Sequence, residues 1–215
     1  SNRPLAFPIS AEAKDFVRHA DFRADPLLNA LGTASGKFEL YSRTIEKYGY
    51  DDCPPHATWM EPLERTGRSD SRYPLHIVSN HPQMRLHSQL CGTINRNSYE
   101  VSGREPCWMN PQDAKVRGLK DGDVVRVFNQ RGQILAGLKV TDEIMPGAIR
   151  INEGGWYDPV NSRDPNTLCA WGDVNVLTTG VATSRLAQGN CGHTAVAEVE
   201  RFRGSLPPVM VFSQP

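Results

Sequence analysis

Gly122–Gly137 reads GDVVRVFNQRGQILAG. Extended to Thr141, it supplies two β-type runs, Asp123–Asn129 (DVVRVFN) and Gln133–Thr141 (QILAGLKVT), parted by Arg131-Gly132. Three further stretches have the same β-branched character: Tyr73–Ser79 (YPLHIVS), Gly147–Asn152 (GAIRIN) and Thr194–Phe202 (TAVAEVERF). Between the first of these and the Gly122 turn lies a punctuated helix. Asn110 is its N-cap, Pro111 takes the first helical position, Asp113 reaches back to the cap, and Gly118 supplies the left-handed stop. A second short helix is expected from Thr183 to Gly189. Many short strands with one or two small helices point to a closed barrel, which leaves no exposed strand edge.

The first 70 residues read differently. Ser10 can cap a helix over Ala11–Ala20, Lys37–Tyr41 alternates like a brief strand, and Cys53-Pro54-Pro55 and Arg65–Arg72 interrupt regular structure. Their apolar residues are too scattered for a core, so the region is expected to be a connector packed on something else. The 24 basic and 24 acidic residues among 215 balance to zero, which argues against a dedicated nucleic-acid binder. With 39% hydrophobic and 22% charged residues the composition is that of a soluble globular chain. No apolar run approaches the roughly 20 residues of a membrane span, and Ser1-Asn2-Arg3-Pro4-Leu5 does not resemble a signal peptide. Five cysteines without a C-x-x-C pair suggest neither a disulfide framework nor a zinc ribbon.

Charge distribution says more than total charge. A stretch of about 26 residues should hold about three acids at this composition, yet Pro74–Tyr99 holds none, and neither does Val174–Ala197. The first centres on Ser79-Asn80-His81-Pro82-Gln83-Met84-Arg85-Leu86-His87-Ser88-Gln89, a loop leaving a strand with a polar head on nearly every residue. The second centres on Leu186-Ala187-Gln188-Gly189-Asn190-Cys191-Gly192-His193, whose glycines let a ligand approach the backbone. Together they suggest an anionic ligand held by Arg and backbone N–H groups. The plainer alternatives are a solvated surface loop and a helix end followed by a tight turn. A hydrolase triad built on Ser88 and His87 is disfavoured, because neighbouring residues rarely supply both nucleophile and base and no G-x-S-x-G is present. His81, His87 and His193 lack metal-ligand spacing, so no metal ligand and no catalytic residue is assigned.

Five strings resemble one family in order and spacing. They are Tyr73–Gln89 (YPLHIVSNHPQMRLHSQ), Gly103–Gly118 (GREPCWMNPQDAKVRG), Gly122–Gly137, Pro146–Pro159 (PGAIRINEGGWYDP) and Gly172–Gly192 (GDVNVLTTGVATSRLAQGNCG). They look like the C-terminal domain of the dimethyl sulfoxide reductase family of molybdopterin enzymes. The nearest branch is the dimethyl sulfoxide, trimethylamine N-oxide and biotin sulfoxide reductases. The likeness runs from about Gly36 to Gly204, since Ser35–Ser42 (SGKFELYS) resembles the family's lead-in.

The resemblance implies a mainly β fold: a six-stranded double-psi β-barrel with a few short helices and an N-terminal connector segment. Residues 1–70 would be the connector from a preceding domain, 71–204 the dinucleotide-binding barrel and 205–215 a tail. It implies a molybdenum bis(molybdopterin guanine dinucleotide) cofactor, bound by the full-length enzyme. Contacts would fall on Ser79, His81, Arg85, His87, Ser88, Asn175, Gln188 and Asn190, with Arg85 directed at an anionic oxygen. The reaction implied is transfer of an oxygen atom from a small sulfoxide or amine N-oxide to Mo(IV), with an electron-donor protein and the remainder of the reductase as partners and no nucleic acid. The branch's metal ligand lies far upstream, so the chain reads as a C-terminal piece that is inactive alone. Residence is expected in the periplasm, or in the cytoplasm if the enzyme is of the biotin sulfoxide type. The alternative function is a stand-alone double-psi barrel acting as a protein-binding adaptor.

Overall fold

The computed structural model describes residues 16–67 and 72–213. By its internal contacts the chain forms two compact units, Ser1–Trp59 and Met60–Pro215. In the first, two short helices are described, α1 (Ala20–Ala24) and α2 (Arg43–Glu46). The Ser42 hydroxyl caps α2 by accepting from Ile45 N at 3.3 Å. No residue from 16 to 59 is buried, and Phe16, Leu27, Leu28, Phe38 and Leu40 are exposed. The helix expected over Ala11–Ala20 falls outside the described residues for 11–15; helix is described only from Ala20. The strand expected at Lys37–Tyr41 is not formed. The Thr33 hydroxyl donates to Lys37 O (2.6 Å) and Lys37 N donates to the Ser35 hydroxyl (3.3 Å), so side chains capture both backbone groups of the residue that would start the strand.

The second unit carries β1 (Leu75–Val78), β2 (Pro106–Met109), α3 (Pro111–Val116), β3 (Val124–Phe128), β4 (Gln133–Val140), β5 (Ala148–Ile151), β6 (Leu168–Cys169) and β7 (Val196–Arg201). The strands pair in the order β2-β5-β1-β7-β3-β4, and β2 pairs back onto β4, closing a six-stranded barrel. β6 extends β4 only at Gln133 and Ile134, on the part of its edge that β2 leaves open. Two pairings within the closed ring are parallel, β1–β5 and β2–β4, and the other four are antiparallel. This is the double-psi barrel expected from the sequence.

The alternation that marks β3 as a strand also fills the core. Val125 and Val127 are buried, with Ile77, Ile134, Leu138, Ile149, Ile151 and Val199 around them. β2 was not anticipated. Four residues beginning with proline, three of them buried, show no alternation to read. Cys107 lies in this core, and burial alone pushes its thiol up to about 12, which makes it an inert filler.

α3 begins as its punctuation requires: Asn110 Oδ1 accepts from Gln112 N at 2.9 Å, and Gly118 has φ 63°. Asp113, however, does not close on the cap. Its Oδ2 accepts from Gly147 N at 2.8 Å, tying the helix to the turn before β5. The helix expected over Thr183–Gly189 is absent. Ala182 bridges Asn190, Thr183 N donates to Gly189 O (3.1 Å), and the Thr183 hydroxyl donates to Ala187 O (2.6 Å), closing a loop instead.

Two features yield predictions. Gly137 sits opposite Pro106 and Val124 in β4, and a Cβ there would run into the Val101 carbonyl group. Gly137→Ala is expected to lower stability by about 1–3 kcal/mol, read as a lower urea midpoint; an unchanged midpoint would show that the Val101 segment yields freely. Glu64 accepts from Arg131, Gln130 and Val196 N. The Arg131 hydrogen bond holds its carboxyl below the usual carboxylate range against the opposing effect of burial. A carboxyl lowered in the folded chain stabilises it above the unfolded value and loses that contribution as pH falls. Glu64→Gln should therefore cost about 0.5 kcal/mol at neutral pH, a gap that closes on acidification; a pH-independent gap contradicts this.

Candidate functional site

Strand order brings distant loops to one end of the barrel. β1 runs parallel to β5 and antiparallel to β7, so the exits of β1 and β5 lie beside the entry of β7, where Ile77 N donates to Ala195 O at 2.9 Å. β3 is antiparallel to β7 with Phe128 level with Glu198, which adds the β3–β4 turn to that end. There Asn129 Nδ2 donates to Leu177 O (2.8 Å) and Val196 O (2.9 Å), pinning the 3-10 turn Val174–Leu177 beside the β7 entry. Both acid-free stretches found in the sequence thus emerge at the same end.

The individual residues fare differently. Ser79 is buried at the exit of β1, whereas His81, His87, Ser88, Asn175, Gln188 and Asn190 are exposed. The side chains of His81 and His87 are 69% and 61% accessible. The Ser88 carbonyl accepts from Trp156 Nε1 at 2.8 Å, leaving its hydroxyl on the surface. Asn175 takes its place through its backbone N–H, which donates to the Asp173 carboxylate at 3.0 Å. Burial pushes the Asp173 carboxyl up. Gln188 lies in the closed 182–190 loop, and the Asn190 side-chain oxygen is taken by Gly192 N.

Arg85 does not fill the role expected of it. Its side chain is fully enclosed, with Nη1 and Nη2 donating to the two Glu105 oxygens at 3.0 and 3.1 Å. Two further donors go to backbone, Nε to His87 O (3.1 Å) and Nη2 to Glu153 O (2.7 Å), and the guanidinium lies 5.3 Å from the Tyr99 ring centroid. Four of its five N–H donors are thus engaged and the whole side chain is enclosed, out of reach of an anionic oxygen at the surface; the sequence could not show this because Glu105 lies 20 residues away. Burial pushes the Glu105 carboxyl up, opposed by Arg85 and by Asn152 Nδ2, which donates at 3.3 Å.

Glu153 is the residue that reading by charge missed. It follows β5, and its Oε1 lies 2.7 Å from Nδ1 of both His81 and His87. The search for acid-free stretches pointed away from it, because the barrel brings this carboxylate in from a different loop. Gly154 makes the approach possible. Its φ is 76°, and any Cβ would strike the backbone of His87 and Ser88.

Arg85→Ala would strand Glu105 as a buried, unpaired charge, so a loss of about 3–5 kcal/mol is expected. Replacing both partners, Arg85→Met with Glu105→Leu, should cost less than the single change. Urea titration checks this, and a single variant within about 1 kcal/mol of the parent contradicts the assigned role.

The donor set suits a polar dinucleotide with pterin, phosphate and guanine groups. Uncharged donors and acceptors stand exposed at this end, and Glu153 is held between two imidazoles. Asn80 Oδ1 is buried without a protein partner beside them, an acceptor suited to a ligand N–H. Comparisons with known proteins agree. Residues 75–196 match the family model described as the molydopterin dinucleotide binding domain. The dimethyl sulfoxide/trimethylamine N-oxide reductase of Cereibacter sphaeroides is 60% identical over 211 residues, 98% of this chain and 26% of that protein. The trimethylamine-N-oxide reductase of Haemophilus influenzae is 49% identical over 215 residues, 100% of this chain and 26% of that protein. The chain thus spans about a quarter of the length of the curated relatives it matches. Acetylene hydratase from Pelobacter acetylenicus shares the fold, with a TM-score of 0.64 and 23% identity over 80% of this chain and 24% of that one. By its matched residues and its relatives, the chain belongs to the molydopterin dinucleotide binding domain family.

Proposed function

We propose that the chain is the cofactor-binding domain of a molybdenum-dependent reductase of small sulfoxides or amine N-oxides. The observation that carries this reading is the meeting of the Ser79–Gln89 loop, the Val174–Leu177 turn and the entry of β7 at one polar barrel end. When bound, the molybdenum centre with its two dinucleotides supplies the two-electron chemistry of oxygen-atom transfer. The protein's part is to bind and orient. His81, His87 and Ser88 would line one side of the dinucleotide, Asn175, Gln188 and the 190–192 turn the other, while Ser79 shapes the loop exit from within. Arg85 would act behind the loop. The proposal carries with it residues up to about 70 as a connector, 205–215 as a tail, a separate electron-donor protein, a role in anaerobic respiration and residence in the periplasm. No helix among the described residues is long and apolar enough to cross a membrane.

Two measurements test the reading. In the larger reductase, the double change His81→Ala with His87→Ala should lower molybdenum and pterin content at least several-fold, measured by metal analysis and fluorescence of the released pterin. Full occupancy in that variant removes the two histidines from the site. The 215-residue chain alone should show no reduction of trimethylamine N-oxide with a reduced dye, and sustained turnover would contradict its role as a binding domain.

A further inference from the structure

We infer that Phe212, on the segment that follows β7, is a positioning residue for the ligand-facing loop. It seats the Trp156 indole, which in turn holds that loop through the Ser88 carbonyl. The inference rests on the reading that this barrel end receives the dinucleotide, and it adds to that site a residue from a distant part of the sequence. The loop needs outside support. Ser88 lies between His87 at φ 48° and Leu90 at φ 66°, both left-handed without being glycine, and such backbone persists only where its surroundings hold it. Arg85 Nε holds the His87 carbonyl at 3.1 Å. The next carbonyl, that of Ser88, accepts from Trp156 Nε1 at 2.8 Å.

Trp156 is 37% exposed, so enclosure does not orient it and its few neighbours must. Gly92 is one of them: a Cβ there would come within 2.8 Å of the indole Cη2. Phe212 is another, its ring centroid 5.6 Å from that of Trp156. The phenyl ring has firm backing. It meets the buried Trp171 edge to face at 4.7 Å, and the Arg96 guanidinium lies 4.2 Å from its centroid. Arg96 belongs to the same acid-free stretch as Ser88 and is itself fixed by Glu100 at 2.9 Å. Phe212 thus reaches that stretch twice, directly at Arg96 and through Trp156 at Ser88.

The segment that bears Phe212 forms neither helix nor strand, and such a segment stays loose unless it is tied down. Two hydrogen bonds tie it before the ring. Arg104 Nη2 donates to Pro207 O at 2.6 Å, and the Asp158 carboxylate accepts from Met210 N at 2.9 Å. Asp158 is buried, and its own carbonyl accepts from Ala170 N at 2.7 Å, which anchors the second tie beside β6. The ring is therefore delivered to one place, against Trp156.

Amide hydrogen exchange of the larger reductase, prepared without its cofactor, reads the loop directly. Phe212→Ala should speed exchange across residues 86–98 at least several-fold, with β1, β3 and β5 as protected as in the parent. Trp156→Phe keeps an aromatic ring but removes the N–H, so it should loosen residues 86–92 in the same way. Because Phe212 acts on these residues through Trp156, the double variant should loosen them no further than Trp156→Phe alone. Phe212→Tyr keeps the ring contacts and should match the parent. An unchanged loop in Phe212→Ala, additive effects in the double variant, or faster exchange in the strands as well overturns the inference. Molybdenum and pterin retained after dialysis of the loaded enzyme are then measured. Retention lowered several-fold in Phe212→Ala and Trp156→Phe, and normal in Phe212→Tyr, supports the assignment. A loosened loop with full retention shows that this loop does not hold the dinucleotide, so the underlying reading fails and the inference with it.

Discussion

Arg85 and Glu105 are both fully enclosed, and a charge pair so placed is tolerable only while its hydrogen bonds are kept. The pair joins three pieces of chain: the loop after β1, the start of β2 and the exit of β5, where Asn152 and the Glu153 carbonyl complete its coordination. Any ligand-facing arrangement of His81, His87 and Glu153 inherits its geometry from this clamp. Its cost in desolvation is met by neutralisation and by donors spent on backbone carbonyls. That is why a residue of the type that binds phosphate so often elsewhere is unavailable for it here.

Barrel closure supplies the other constraint. Because β2 returns to β4, no strand in the ring of six is left with an edge to solvent along its whole length, and the loops at one end are held at fixed spacing. Parallel β1–β5 and antiparallel β1–β7 pairing set three loop origins side by side. Asn129, bonded to Leu177 O and Val196 O, ties the fourth to them. The loops can then be polar and irregular, since their positions are decided by the strands beneath. Buried Val125, Val127, Ile134 and Ile149 do the holding, and the exposed imidazoles and amides are carried on top.

Strands with clear alternation, such as Val124–Phe128, were legible from residues alone, as was the Asn110–Pro111 helix start. β2 was not, because a four-residue run buried at three positions has no period to detect. The helix expected at Thr183–Gly189 failed where hydroxyl side chains offered the backbone a closer partner than the next helical turn. Of the site, six of the eight expected residues stand exposed at the predicted loops; Ser79 and Arg85 are buried.

Local pattern and composition therefore determined a barrel of short strands, a polar loop after β1, a second one before β7 and, through the family strings, the class of ligand. Tertiary structure alone decided that these loops meet, that Arg85 is consumed by Glu105 and that Glu153 stands between two histidines. The physical reason is separation along the chain. Glu105 is 20 residues from Arg85, and Glu153 lies 68 from it, so which charges meet depends on strand order and register, and neither is written in any local stretch.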